Sequence, residues 1–116
     1  MSKEDKEQAG PAACLGQGQN LTGLIGYADD SVVSKTILSK PVGSITLFAF
    51  DKGQGLSEHT SPYDAVVQII EGCAQLTIGG KVMEVSAGEL IVMPANIPHS
   101  VDAKERFKML LIMIRA

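Results

Sequence analysis

His59 and His99 are the residues of this chain best suited to chemistry, and they are its only histidines. Imidazole can donate, accept or ligate near neutral pH through two distinct nitrogens. Taken singly, a histidine in a small β domain reads as a surface group or a satisfied core residue. Other polar groups crowd the first of them: Ser61, Tyr63, Asp64 and Gln68. Ser61 offers a hydroxyl, which is a poor ligand for a transition metal. Tyr63 either brings a phenol to the mouth of a pocket or simply caps its loop. Asp64 follows Ser61-Pro62-Tyr63, where its carboxylate can accept backbone N–H bonds and hold the loop that presents His59. Gln68 either faces solvent or is a buried amide on a ligand. Solvent is preferred, since a buried amide left unpaired costs about 1–3 kcal/mol.

Several other chemistries are excluded. No GxSxG elbow and no HExxH pair occurs, and the Gly53-Gln54-Gly55 run lacks the Lys-Ser/Thr pair and helix of a phosphate loop. Cys14 and Cys73 lie in no CxxC pair and beside no histidine, so they read as reduced thiols of a cytoplasmic protein. A net charge of −3 leaves no basic footprint for nucleic acid or an anionic membrane. With aromatic residues at 4% and no Trp, base-stacking platforms and carbohydrate-gripping walls are also unexpected. Residues 1–10 are charged in both signs, no secretory apolar segment follows, and no apolar run approaches the roughly 20 residues of a membrane span.

The elements that must position these groups are short. At 116 residues, with 45% hydrophobic and 20% charged content, the chain has the size and composition of one globular domain. Residues 1–20, rich in Gly, Gln and small side chains, read as a flexible leader, and residues 21–116 as the domain. Strands are expected at 31–38, 43–50, 65–70, 74–78, 81–85, 89–93, 99–101 and 106–114, where β-branched and apolar runs are bounded by turn-formers. Gly79-Gly80 suits the tight link of a hairpin. No window carries a helical period, and turn signals recur at the rhythm of a β-sandwich or barrel. Met83, Met93, Met109 and Met113 read as adaptable core filler, and Arg106 and Lys108 as solvated charges flanking the last strand.

Residues 53–72, GQGLSEHTSPYDAVVQIIEG, and 88–103, GELIVMPANIPHSVDA, resemble the two motifs of the cupin superfamily, G-x5-H-x-H-x3,4-E-x6-G and G-x5-P-x-G-x2-H-x3-N. The resemblance covers about residues 21–115 and implies an all-β, jelly-roll barrel, the double-stranded β-helix. It implies that His59 and His99 face one cavity, and it implies homodimers. In metal-binding cupins the two histidines and glutamate of the first motif meet the histidine of the second. Here the second histidine position is Ser61, and the glutamate position is Ala65, or its neighbour Asp64 if the loop shifts by one. Asn96 takes the glycine position of the second motif, and Ala103 the asparagine position.

The ligand set the resemblance implies is thus half emptied, with His59 and His99 left as the metal-ligating candidates. Three functions follow as expectations. The first is a cytoplasmic homodimeric barrel that binds a small molecule in a mostly apolar pocket, with a divalent transition metal at most weakly held. The second is an enzyme: a metal-dependent oxygenase that recruits Asp64, or a metal-free isomerase with a histidine as general base. The third is a structural barrel whose histidines are relics. Asp64 discriminates among them. If Ala65, Val67 and Ile69 point inward, strand alternation sends Asp64 outward, unless a bulge near Pro62 turns it in.

Overall fold

The computed structural model describes residues 14–115. A single 3-10 turn, Leu21–Gly23, precedes nine strands: β1 Val32–Lys40, β2 Gly43–Phe50, β3 Gly55–His59, β4 Asp64–Glu71, β5 Cys73–Ile78, β6 Lys81–Ser86, β7 Leu90–Met93, β8 His99–Asp102 and β9 Phe107–Ile114. All pairings are antiparallel. They build a five-stranded sheet in the order β1-β2-β9-β4-β7 and a four-stranded sheet in the order β3-β8-β5-β6. The all-β expectation holds, and the last apolar run is a strand. It lies in the centre of the larger sheet, which explains why it is apolar on both faces.

Alternation along the strands of the larger sheet separates two cores. Between the sheets lie Phe50, Ala65, Val67, Ile69, Phe107 and Met109, packed with Leu76, Val85 and Val101 of the smaller sheet. On the opposite face, Ile37, Leu47 and Ala49 pack with Leu21, Leu24, Ile25 and Tyr27. Residues 21–27 therefore cover part of the outer face, placed there by their apolar side chains. Of the leader expected over residues 1–20, the first thirteen lie outside the described residues. Cys14 already packs against the outer core.

Two expectations need correction here. Strand β3 was not expected, because its sequence, GLSEH, is polar and largely exposed. Pairing with β8 makes it a strand, with a register irregularity between Leu56 and His59. Lys108 is not a solvated flank charge: it is only 7% exposed. Its Nζ donates to the Thr22 carbonyl at 2.7 Å, lies 3.7 Å from Glu71, and sits over the Tyr27 ring at 5.0 Å. The segment that buries it arrives from more than eighty residues away, beyond the reach of any local pattern.

Arg106 packs over the same segment, its guanidinium 5.0 Å from the centre of the Tyr27 ring. Its Nε donates to Asp51 at 2.7 Å and its Nη2 reaches Asp29 at 3.2 Å. Asp51 also accepts the backbone N–H groups of Asp30 and Lys52. The Arg106 hydrogen bond, reinforced by those of the backbone, holds the Asp51 carboxyl below its ordinary value of 3.8. A depressed carboxyl contributes stability that is present above the unfolded value and lost as pH falls through the folded one. Asp51→Asn is therefore expected to lower the melting temperature at pH 7 and to flatten its acid limb below about pH 3.8. Melting curves between pH 2 and 7 check this; an unchanged acid limb counts against it.

Candidate functional site

The site is built between the two sheets, where β3 pairs with β8. Strand β3 ends at His59 and strand β8 begins at His99, and the two residues are register partners across the β3–β8 pairing. Direct partners across an antiparallel pair have close Cβ atoms on one face, which is what brings the rings together. His99 is buried at 5% exposure, whereas His59 is exposed. The rings meet edge to face with centroids 4.4 Å apart, and the two Nε2 atoms are 3.1 Å apart. Each Nδ1 is engaged behind its ring. That of His59 donates to the Ser57 carbonyl at 2.8 Å, and that of His99 to the Ile97 carbonyl at 3.1 Å.

Behind the pair lies a cavity of about 130 Å³ lined by Leu56, His59, Ser61, Ala65, Met93, His99 and further apolar residues of β8 and β9. The rest of its wall is Val101, Met109, Leu111 and Met113. All four positions that the resemblance makes ligands, 59, 61, 65 and 99, therefore line one cavity. Three other residues singled out from the sequence do not. Gln68 stands opposite Leu110 and Leu90 and shares their side of the sheet, the outer one, by alternation with buried Val67 and Ile69. Tyr63 is exposed in the turn before β4. Asp64 is exposed, and its Oδ1 accepts the Ala95 N–H at 2.8 Å. No bulge turns it in: β4 pairs regularly with β9 from Asp64 to Ile69.

Asp64 does hold a loop, but a different one from that expected. Ala95 belongs to the 94–98 loop that leads into His99, and the Asn96 N–H is held by the Ser61 carbonyl at 2.7 Å. Asn96 itself has φ +65°. Asn tolerates this left-handed conformation better than most residues, which accounts for its presence where the motif has glycine. The loops carrying the two histidines are thus tied to each other by two hydrogen bonds. Sequence reasoning missed the methionines: Met93, Met109 and Met113 line the cavity as well as filling core. Their place on β7 and β9, inward by alternation, was the available signal.

A metal fits this arrangement only in part. At metal–nitrogen distances of about 2.0–2.1 Å, two nitrogens 3.1 Å apart match adjacent corners of a coordination shell. A tightly held ion wants a third protein donor. The remaining positions carry the Ser61 hydroxyl and the Ala65 methyl, and among the described residues no three His, Cys, Asp or Glu side chains converge. The donor set falls short of a tight transition-metal site.

Comparison with known proteins agrees with this frame. Residues 46–114 match the cupin domain. A conserved protein of unknown function from Streptococcus pyogenes is similar at 39% identity, with 86% of this chain and 88% of that one covered and a TM-score of 0.82. A cupin 2 conserved barrel domain protein from Leptotrichia buccalis is 40% identical, with 83% of this chain and 47% of that one covered and a TM-score of 0.80. A cupin superfamily protein from Desulfitobacterium hafniense is 27% identical over 86% of this chain and 92% of its own, with a TM-score of 0.82. No curated protein matches. The domain match spans more than half of the sequence, and all four motif positions converge on one cavity: this chain belongs to the cupin family.

Proposed function

We propose that the protein is a small-molecule binding module whose ligand enters the barrel cavity and meets His59 and His99. One observation carries the reading: two imidazoles with fixed orientations, one of them buried, open onto a cavity whose other walls are almost wholly apolar. A few placed polar groups in an apolar concavity are the usual make-up of a ligand site. A thermal-shift screen of small metabolites against wild type and His99→Ala tests it. Stabilising compounds are expected for wild type, and none of them should stabilise the variant. Equal stabilisation of both would remove the cavity from the function.

A divalent transition metal would be held weakly by the two imidazoles. Elemental analysis of protein purified without chelator or histidine tag is expected to give well under one equivalent. One equivalent would show that a further ligand completes the shell and would favour the oxygenase. A metal-free isomerase is the second reading, favoured by the direct Nε2–Nε2 contact, across which a proton can pass. Turnover of a bound compound separates it from simple binding. The proposed location is the cytoplasm, supported by the free thiols of Cys14 and Cys73; no helix among the described residues is long and apolar enough to cross a membrane.

The proposed partner is a second copy of the chain. Register places Leu38, Ile45, Ile112, Val66 and Val92 in one apolar row across all five strands of the larger sheet, on its outer side. Leu38, Val92 and Ile114 are exposed, and a groove of about 320 Å³ runs over Leu38, Val42, Ile45, Ile112 and Ile114. Residues 21–27 pack on this face in the cluster of Ile37, Leu47 and Ala49, which Ile45 also joins. A two-fold pairing buries the row against itself. Sedimentation at micromolar concentration is expected to give a dimer, and Val92→Lys a monomer of unchanged fold. A wild-type monomer would rule the interface out.

A further inference from the structure

We propose that the cavity selects a one-ended amphiphile, a compound with a single hydrogen-bonding group on an apolar body of about six carbons, and that Ala65 is the residue that sets this specificity. This rests on the reading of the cavity as a binding site and names the class of compound it takes.

The two sides of the cavity differ in kind. Leu56, His59, His99 and Val101 come from β3 and β8 of the smaller sheet, and Ser61 from the turn between β3 and β4. Ala65, Met93, Met109, Leu111 and Met113 come from β4, β7 and β9 of the larger sheet. Every lining side chain that carries nitrogen or oxygen is therefore in the first group. The wall across from it offers only carbon and thioether sulfur, a weak acceptor. Its backbone is occupied as well: Ala65 is in register with Met93 of β7 on one side and with Met113 of β9 on the other. A ligand hydroxyl or amide aimed at this wall finds no partner, whereas the same group on the other side meets an imidazole or the Ser61 hydroxyl. An imidazole can give or take a hydrogen bond, so position and not charge defines the polar end.

Ala65 controls what the apolar end can be. It is 1% exposed, and its methyl is flanked by the two methionines that are its register partners. Apolar cavities of about 150 Å³ take benzene, and this one is about 130 Å³. Three further carbons on residue 65, as in leucine, would fill about half of that space. Met93 and Met113 can adjust to a flat or a branched body without making the wall polar. A compound with polar groups at both ends, a diol or a sugar, would bury one of them against Ala65 unpaired.

The test titrates the full chain with phenol and n-hexanol, and with hydroquinone and the hexanediol that has a hydroxyl at each end. Each diol keeps the body of its alcohol and adds one hydroxyl at the far end. Binding is read from the methyl resonances of Met93, Met109 and Met113. Each alcohol is expected to bind about tenfold or more tightly than its diol, the cost of a hydroxyl buried without a partner. Ala65→Ser, which puts one hydroxyl on the apolar wall, should narrow that gap about threefold or more by improving diol binding. A preference that came only from the diols' better hydration would be the same in both proteins. Ala65→Leu should weaken phenol and hexanol about tenfold by filling the space; if it does not fold, Ala65→Ser decides alone. Diols binding as well as alcohols, or a gap that Ala65→Ser leaves unchanged, would overturn the specificity while leaving the cavity as a binding site. No methyl shift with any of the four would defeat the cavity reading itself.

Discussion

Phe107→Ala is expected to remove about 3–5 kcal/mol of stability, the cost of emptying a large buried aromatic site. Phe107 is fully buried at the start of β9 and stacks on Phe50 of β2, with centroids 4.5 Å apart and planes inclined by 9°. The two are register partners in the larger sheet, and both face the smaller one. Phe107 also has a close neighbour in the chain: Gly72, at φ +77°, turns β4 into β5 directly against it. A Cβ at Gly72 would lie 2.6 Å from the Arg106 carbonyl oxygen and 3.1 Å from the Phe107 Cβ. Gly72 thus packs against the Phe107 backbone and Cβ, which Phe107→Ala keeps, so the loss is that of the ring's own burial and stacking. Domains of this kind are stable by about 5–15 kcal/mol, so the variant should be close to unfolding at 37 °C. Denaturant titration checks it, and a loss below about 1 kcal/mol would mean that this end of the sandwich collapses freely.

The frame was legible in the sequence because it is written in local signals. Apolar runs, the Gly79-Gly80 hairpin and Pro94 place most strands within two residues of where they lie. The spacing of His59 and His99 within the two motifs puts them at one cavity. Strand alternation was enough to send Asp64 outward, opposite Ile114, because no bulge intervenes. What was illegible is whatever depends on distant chain. Strand β3 is polar by composition and becomes a strand only through β8. Lys108 reads as a surface charge until residues 21–27 arrive over it. Tyr27, in that cover, donates to Glu71, and burial followed by this hydrogen bond pushes its phenol above the ordinary range. The direct contact of the two Nε2 atoms is likewise a property of the β3–β8 register, which no spacing within either motif contains.

The emptied ligand set gives the second large prediction, which runs toward gain rather than loss. If Ser61 and Ala65 stand where the family's remaining donors would be, then Ser61→His with Ala65→Glu should complete a site of three imidazoles and a carboxylate. Ala65 is almost fully buried and lines the cavity together with Ser61 and both histidines. Ala65→Glu alone should destabilise the protein, since it places an unpaired carboxylate among methionines. In the double variant a bound divalent ion pairs with that carboxylate, and the penalty becomes metal dependence. At a metal concentration about 1,000 times Kd, linkage adds about 4 kcal/mol to the folded state. The double variant should therefore retain one equivalent of nickel or manganese through gel filtration and melt much higher with the ion than without it. Wild type, with two imidazole donors, should lose the ion on the column and show little shift. A folded double variant that still releases metal would mean that the four positions share a cavity without converging on a point. The likeness to metal-binding cupins would then stop at the barrel.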